Sequence, residues 1–231
     1  MGKLRRFTRF VILGLVAVVL AYEGSILVRI AWWTQHDPQS TRLMVRRTEE
    51  LREINPKAVI RQQWVAYPRI SGHLKRAIIT AEDAKFVDHE GFDWAGIQHA
   101  MEKNQRRGKV VAGGSTITQQ LAKNLFLSGE RTFVRKGQEA LITAMLEVVM
   151  SKRRILEIYL NFAEWGEGVF GAEAAARHYF GLSAQYLSAE QAARLAAMLP
   201  RPRYYEHHRD SAYLLQYAET ILSRMPAAQI P

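Results

Sequence analysis

Residues 81–93, AEDAKFVDHEGFD, place five carboxylates and one histidine within thirteen positions. The apolar residues before them recur at helical spacing, which predicts a helix that continues to about Gly91. Positions i, i+4 and i+7 of a helix share one face, so Glu82, Phe86 and His89 are predicted to lie together. An acid, an aromatic ring and an imidazole on one face are typical of the wall of a site. The helices around this stretch decide the fold.

Helical periodicity dominates the chain beyond residue 70, and no segment alternates as a β-strand. The predicted helices begin at about residues 71, 93, 115, 133, 151, 172, 188 and 210, with a further one at about 41–53. Glycines at 166, 168 and 171 predict a loop before the helix at 172. This pattern predicts one mainly α-helical domain at 71–231, preceded by a polar juxtamembrane connector at 34–70.

The N-terminus carries a basic segment at 1–9 followed by a mostly apolar segment at 10–33. One interpretation is a cleaved signal peptide, with Val19-Leu20-Ala21 as the cleavage site. The other is an uncleaved transmembrane anchor, which the continued apolar run and the Trp32-Trp33 pair favour. The basic residues predict that the N-terminus stays in the cytoplasm and the remainder lies outside. Glu23 is expected near the outer headgroups or packed against protein.

Composition narrows the classes of function. The 231 residues suffice for a membrane segment and one sizeable domain. Lys and Arg outnumber Asp and Glu by 32 to 22, a net charge of +10 that favours nucleic acid, anionic lipid or phosphorylated substrates as partners. The chain has no cysteine, which excludes disulfides, thiolate zinc sites and a cysteine nucleophile.

Glu82 is a candidate general base. It follows the apolar stretch 78–81, and desolvation there would raise its pKa towards the range useful for proton transfer. An acid on a solvated helix surface, or one in a structural ion pair, would have a similar sequence context. Asp83 and His89 are placed to orient Glu82. They are weaker as a metal pair, because no third ligand stands nearby at a standard spacing.

A second candidate element is the turn at 113–116, GGST, which leads into a helix. Its glycines allow close approach of a ligand to the backbone, and free amides at a helix N-terminus attract anions. The spacing is not that of a P-loop, and a plain flexible turn with an N-cap would look alike. The helix that follows carries its polar side chains on one side, at Thr116, Gln120, Lys123 and Asn124, which predicts a cleft wall or a solvated face.

Cations cluster at 130–139. Arg131, Arg135 and Lys136 can cradle a pyrophosphate, although a nucleic-acid backbone or solvent would also satisfy them. Glu139 stands among these cations and is expected to have a lower pKa than Glu82. Two acids in unlike environments are typical of divided catalytic roles.

Four segments resemble, in order, the motifs of the peptidoglycan glycosyltransferases, the family that polymerises lipid II. They are 82–93 (EDAKFVDHEGFD), 113–120 (GGSTITQQ), 135–139 (RKGQE) and 151–161 (SKRRILEIYLN), with a looser fifth segment at 194–202. The chain contains no Ser-x-x-Lys motif, and no transpeptidase domain fits after residue 202. The resemblance is therefore to the monofunctional members of the family found in Gram-negative bacteria.

The resemblance implies a fold and a set of roles. Members are mainly α-helical and lysozyme-like, with a bilobed glycosyltransferase domain and one N-terminal transmembrane helix. Glu82 matches the base that takes the proton from the acceptor's 4-hydroxyl, and Glu139 matches the second acid at the donor. Lys123, Arg131, Arg135 and Lys136 match the cations that hold the departing pyrophosphate. Other expected substrate-binding residues are Asp83, Phe86, His89, Ser115, Thr116, Gln120, Asn124 and Lys152.

The same resemblance implies partners and location. The expected substrates are lipid II and a glycan chain linked to undecaprenyl pyrophosphate, joined by β-1,4 bonds with inversion. No cofactor is expected to be obligatory, and Mg²⁺ or Mn²⁺ at the pyrophosphate is a candidate aid. The expected location is the bacterial inner membrane, with a periplasmic catalytic domain, other cell-wall synthases as candidate partners, and no nucleic acid.

Two other functions compete with polymerisation. A lysozyme-like hydrolase or lytic transglycosylase would cut the same polymer with a glutamic acid. The cluster of cations argues against it, since a neutral glycan needs none. A membrane-anchored binder of nucleic acid or anionic lipid would fit the net charge but would leave Glu82 and Glu139 without a purpose.

Overall fold

The computed structural model describes residues 2–108, 113–130 and 132–231. This part of the chain is mainly helical. The helices are α1 (Gly2–Trp32), α2 (Arg42–Ile54), α3 (Gly72–Glu82), α4 (Trp94–Arg107), α5 (Ile117–Phe126), α6 (Phe133–Val149), α7 (Lys152–Phe162), α8 (Ala172–Phe180), α9 (Ala189–Met198), α10 (Pro202–His207) and α11 (Ala212–Arg224). The strands are β1 (Arg61–Gln62), β2 (Glu164–Gly166) and β3 (Val169–Phe170).

Helix α1 has the length and composition of a membrane span. The candidate span is Arg5–Trp32, whose most apolar 18-residue window has a mean hydropathy of 2.4 and is almost wholly unburied within the protein. At about 1.5 Å per residue it exceeds a hydrocarbon core of roughly 30 Å. Near its end, Ile26 and Ile30 are buried against the domain, where α1 packs on α6. Glu23 is half-buried, and within the described chain its Oε2 has no hydrogen-bond partner, so it packs against protein.

The core is built where α3 packs on α9 and α11. On α3, Leu74, Ala77 and Ile78 recur at helical spacing and are fully buried. The facing side of α9 consists largely of buried alanines, whose small side chains let the two helices approach closely. A second layer, in which α5 packs on α6 and α7, completes the domain. Because α3 belongs to the first layer and α5 to the second, a residue at the end of α3 lies between them.

Helix α3 ends at Glu82, so the prediction that it continues to about Gly91 was wrong. The backbone of Asp83 leaves the helical region, at φ −163° and ψ 74°. Its carboxylate accepts a hydrogen bond from the backbone N–H of Ile117, the first residue of α5, at 3.0 Å. Glu82, Phe86 and His89 are therefore not on one helical face, because this long-range bond replaces the next helical turn.

The small sheet was also missed. In the described chain β3 pairs in parallel with β1 and antiparallel with β2, in the order β1-β3-β2. Its strands are two or three residues long, too short for alternation to be visible in sequence. Gly168 and Gly171 have positive φ values of 67° and 83° and form the turns around β3. The predicted loop at 166–171 is thus a buried hairpin instead.

Most predicted helix starts are confirmed. The N-caps at Thr41, Asp93, Thr116, Ser151 and Ser188 each accept a backbone hydrogen bond from the first turn of their helix. Helix α10 was not predicted, because the closely spaced Pro200 and Pro202 resemble the end of a helix. Pro202 instead occupies the first helical position, where the missing N–H costs nothing.

The connector predicted at 34–70 contributes side chains to the core. Met44, Val65, Tyr67 and Ile70 are all buried. The domain limits of the sequence analysis stay a prediction, but these residues fold together with the helices that follow.

Candidate active site

Glu82 lies at the last position of α3, half-buried between the two helical layers. Gln120 donates a hydrogen bond from Nε2 to Glu82 Oε2 at 2.7 Å, and Tyr159 donates to Gln120 Oε1 at 3.1 Å. In the described chain no group donates to Glu82 Oε1, so this oxygen is free to accept a proton. Burial raises the pKa of Glu82, against the opposing effects of Gln120 and the Lys123 charge. A base with one free oxygen and a raised pKa suits proton transfer near neutral pH.

Asp83 and His89 form the frame beside Glu82. The N–H of Gly91 donates to His89 Nδ1 at 3.1 Å, so Nε2 carries the ring proton and donates to Asp83 Oδ1 at 2.9 Å. The other carboxylate oxygen of Asp83 caps α5 through Ile117. Asp83 is buried, and burial raises its pKa against these hydrogen bonds. This network ties the end of α3 to the start of α5, which positions Glu82.

Phe86 and Lys152 lie behind the site. Phe86 is fully buried, and the ammonium of Lys152 stands 4.6 Å from the centroid of its ring. Lys152 also pairs with Glu147 at 2.8 Å, and Thr118 donates to the same carboxylate oxygen. The predicted contact of Phe86 and Lys152 with substrate stays a prediction. In this structure Phe86 supports the neighbouring residues from within the core.

The second acid, Glu139, lies on α6 and is 3% exposed. Arg135 donates to its Oε2 at 2.6 Å, and Lys136 donates to its Oε1. Lys123, on α5, is within electrostatic reach of both Glu139 and Glu82. The Lys123 side chain is exposed, but the surrounding protein groups remove part of its hydration. This desolvation lowers the pKa of Lys123. Glu139 thus holds Arg135 and Lys136 in place near Lys123.

Glu139 and its neighbouring cations line a cleft, which consists of two adjoining cavities of about 320 and 210 Å³. Both cavities are lined by Arg46, Gln120, Lys123, Ser128 and Gly129. The larger one also contains Ser115, Arg135, Lys136 and Glu139, and the smaller one Asn124, Tyr159 and Glu164. Gln120 connects the cleft to Glu82. The cations therefore face one continuous space, and Glu82 adjoins this space through its hydrogen bond with Gln120.

The family model described as transglycosylase matches residues 47–226. The chain belongs to the transglycosylase family. It is 60% identical to the biosynthetic peptidoglycan transglycosylase of Methylobacillus flagellatus over 97% of this chain and 98% of that protein. The protein of the same name from Dechloromonas aromatica is 58% identical over 99% of both chains. That from Herminiimonas arsenicoxydans is 56% identical, again over 99% of both.

Among the described residues of this transglycosylase, seven of the fourteen predicted site residues line the cleft: Ser115, Gln120, Lys123, Asn124, Arg135, Lys136 and Glu139. Ser115 and Asn124 line it at opposite ends. Thr116 is buried instead, where it caps α5 and donates to the carbonyl of Gly91 at 2.7 Å. Arg131 lies outside the described residues. The roles assigned to these residues stay predictions.

Arg46 of this transglycosylase is a cleft residue that the sequence analysis missed. It lines both cavities, and its Nη1 lies where a Cβ on Gly129 would be, at 1.8 Å. Its Nε is buried, with no hydrogen-bond partner among the described residues, and Glu50 is 3.5 Å away. Arg46 lies in the connector, outside the recognised motifs. No local signal could have revealed its position, which depends on α2 packing against α5.

The described residues contain no group of three or more His, Cys, Asp or Glu side chains that could hold a metal ion. Glu139, the acid in the cleft lining nearest the cations, already pairs with Arg135 and Lys136. The cleft residues therefore do not fit a protein-held metal. An ion at the pyrophosphate stays a prediction.

Proposed function

We propose that this transglycosylase polymerises lipid II into β-1,4-linked glycan with inversion and releases undecaprenyl pyrophosphate. One observation carries the proposal: Gln120, which lines a cleft rich in cations, donates a hydrogen bond to Glu82, and the charge of Lys123 interacts with both Glu82 and Glu139. The relatives named as biosynthetic peptidoglycan transglycosylases support the same activity.

The acceptor is activated by Glu82. Its free Oε1 takes the proton of the acceptor's 4-hydroxyl, while Gln120 holds Oε2 in place. The hydroxyl oxygen attacks the anomeric carbon of the donor from the side opposite the phosphate, which inverts the configuration. The bond from this carbon to the phosphate oxygen breaks, and its electron pair leaves with the pyrophosphate.

The leaving group is stabilised by the cations. Arg135 and Lys136, oriented by Glu139, meet the negative charge that develops on the departing pyrophosphate, and Lys123 approaches from α5. Guanidinium groups bind phosphate through two parallel donors, and ammonium groups act as point charges. Glu139 acts through these cations, since both of its oxygens are engaged by them.

A groove connects this site to the anchor. It has a volume of about 800 Å³ and runs from Arg135 to α1, where Tyr22, Arg29 and Trp33 line it. A lipid-linked pyrophosphate at the cations would have a path along this groove to the bilayer. We therefore propose a single-pass inner-membrane location with a cytoplasmic N-terminus, supported by α1 and by the basic residues that precede its apolar segment.

A lytic activity on the same polymer is not favoured. Such an enzyme acts on a neutral glycan and needs a protonated acid near the glycosidic bond. The cleft instead gathers Arg46, Lys123, Arg135 and Lys136 on one side. These cations match a pyrophosphate donor.

The experiment that tests the proposal uses the purified full chain with fluorescently labelled lipid II in detergent, with and without a chelator. The expected result is long glycan that a muramidase degrades, together with release of undecaprenyl pyrophosphate. Release of anhydro-sugars from preformed peptidoglycan, with no polymer from lipid II, would contradict the proposal. The chelator arm tests whether a metal is needed.

Arg46→Gln is expected to raise the KM for lipid II about tenfold, because a charged hydrogen bond to phosphate is lost. Steady-state polymerisation at varied lipid II concentration measures this effect. Arg52→Gln is a matched control that removes a cation from the last turn of the same helix, away from the cleft and the groove. Equal KM values for the Arg46 variant and the wild type would exclude Arg46 from substrate binding.

A further inference from the structure

Four aromatic rings on α10 and α11, and a fifth on the residue that follows α10, form a continuous series of ring contacts. From the active site outwards they are Tyr217, Tyr213, Tyr205, Tyr204 and His208, which we call the tyrosine ladder. Successive ring centroids are 6.2, 6.5, 5.2 and 4.1 Å apart. The series crosses from one helix to the other between Tyr213 and Tyr205.

The ladder begins beside the proposed base. The hydroxyl of Tyr217 donates to the carbonyl of Ala81 at 3.2 Å, and Ala81 directly precedes Glu82. Burial, together with the nearby Glu82 charge, raises the pKa of Tyr217 to about 12, so it remains a hydroxyl donor at neutral pH. The cleft lining also includes Pro202, the first residue of α10. None of the ladder rings is in the described lining of the cleft, so the ladder begins beside the site, at the segment that carries Glu82.

The ladder contains exposed and buried rings: Tyr213 and Tyr204 are exposed, whereas Tyr205, between them in the ladder, belongs to the core. Leu214, Ala218 and Ile221 make up the buried face of α11. Tyr213, on another side of this helix, is 65% exposed. Its plane lies within 10° of that of Tyr205 and within 30° of that of Tyr217. Nearly parallel rings at these distances are laterally offset, so the exposed ring of Tyr213 leaves part of its apolar face uncovered.

We propose that the tyrosine ladder binds the glycan strand as it leaves the cleft. This inference rests on the proposed polymerase function. Pyranose rings present C–H groups on their faces and hydroxyls at their rims, and the C–H groups pack on the electron-rich faces of aromatic rings. Such stacking has no fixed ion-pair geometry, so a strand can slide along it by one repeat after each bond is made. A row of cations would bind a neutral strand poorly.

The experiment compares Tyr213→Ala with the wild-type full chain. Isothermal titration with an eight-sugar peptidoglycan fragment is expected to give about 3- to 10-fold weaker binding for the variant. Its polymer from labelled lipid II should be shorter, because the strand dissociates more often between additions. Tyr213→Phe keeps the ring and should retain wild-type affinity and chain length. Tyr186→Ala removes a tyrosine that is 71% exposed and outside the ladder, and should also match the wild type.

Wild-type affinity and chain length in Tyr213→Ala would overturn the inference. An equal loss of affinity for a two-sugar fragment would also overturn it, since the effect would then lie at the reacting sugars. Circular dichroism must first show that the variant is folded, which the exposure of Tyr213 favours. If the wild type makes no polymer from lipid II, the proposed function fails, and the titration still tests the ladder by itself.

Discussion

Glu82→Gln is expected to lower the rate of polymerisation from lipid II by about a thousandfold, because general-base catalysis contributes about 10² to 10⁴. The amide keeps the size of the side chain but cannot take the acceptor's proton. The rate is measured as incorporation of labelled lipid II into polymer. The variant should fold and associate with membranes as the wild type does. Polymerisation near the wild-type rate would rule out Glu82 as the base.

The matched control is Glu90→Gln, which removes an exposed acid on the adjacent turn and should leave the rate unchanged. The pH dependence provides a second check. Glu82 works only when ionised, and burial raises its pKa, so kcat/KM should fall as the pH drops through a value above that of an ordinary glutamate. This acid limb should disappear from the residual activity of Glu82→Gln.

Asp83→Ala is expected to destabilise the domain by about 2 to 3 kcal/mol, because it leaves the N–H groups of Ile117 and His89 without an acceptor. For a chain of this size, that loss lowers the melting temperature by about 4 to 12 °C. Thermal unfolding followed by circular dichroism in detergent measures it. Polymerisation should also fall, since the end of α3 that carries Glu82 is no longer tied to α5.

Two further variants make this stability test specific. Asp83→Asn retains one acceptor oxygen and should lose less stability than Asp83→Ala. Asp88→Ala removes an exposed carboxylate from the same segment and should melt as the wild type does. Equal melting temperatures for Asp83→Ala and Asp88→Ala would show that the Asp83 network does not support the fold.

The sequence predicted the helical architecture well because helix starts are local signals. An N-cap such as Thr116 or Ser188 satisfies N–H groups only three residues away, so its signature lies within one turn. The apolar residues of α3 and α9 recur at helical spacing, so they predict a buried face even when the helix that packs on it is unknown. The acid at Glu82 was recognisable for a similar reason, since it directly follows a buried apolar stretch.

The end of α3 was predicted wrongly because a residue distant in sequence determines it. Nothing in residues 82–90 marks the end of a helix, and the helical spacing of Glu82, Phe86 and His89 predicts that the helix continues. The helix ends because the carboxylate of Asp83 caps α5, thirty-four residues later. The hairpin of β2 and β3 was not predicted for a related reason. Strands this short form only because they pair with each other in the folded chain.

Local chemistry thus sufficed to predict the helices, the apolar N-terminal segment and the two candidate acids, because each prediction depends on neighbours within a few residues. Only the tertiary structure brought Lys123 within reach of both Glu82 and Glu139, and only it placed Arg46 in the cleft and aligned Tyr213 with Tyr205. These relations join helices that are far apart in the chain. They exist because burying the apolar faces of those helices determines which polar side chains meet in the space between them.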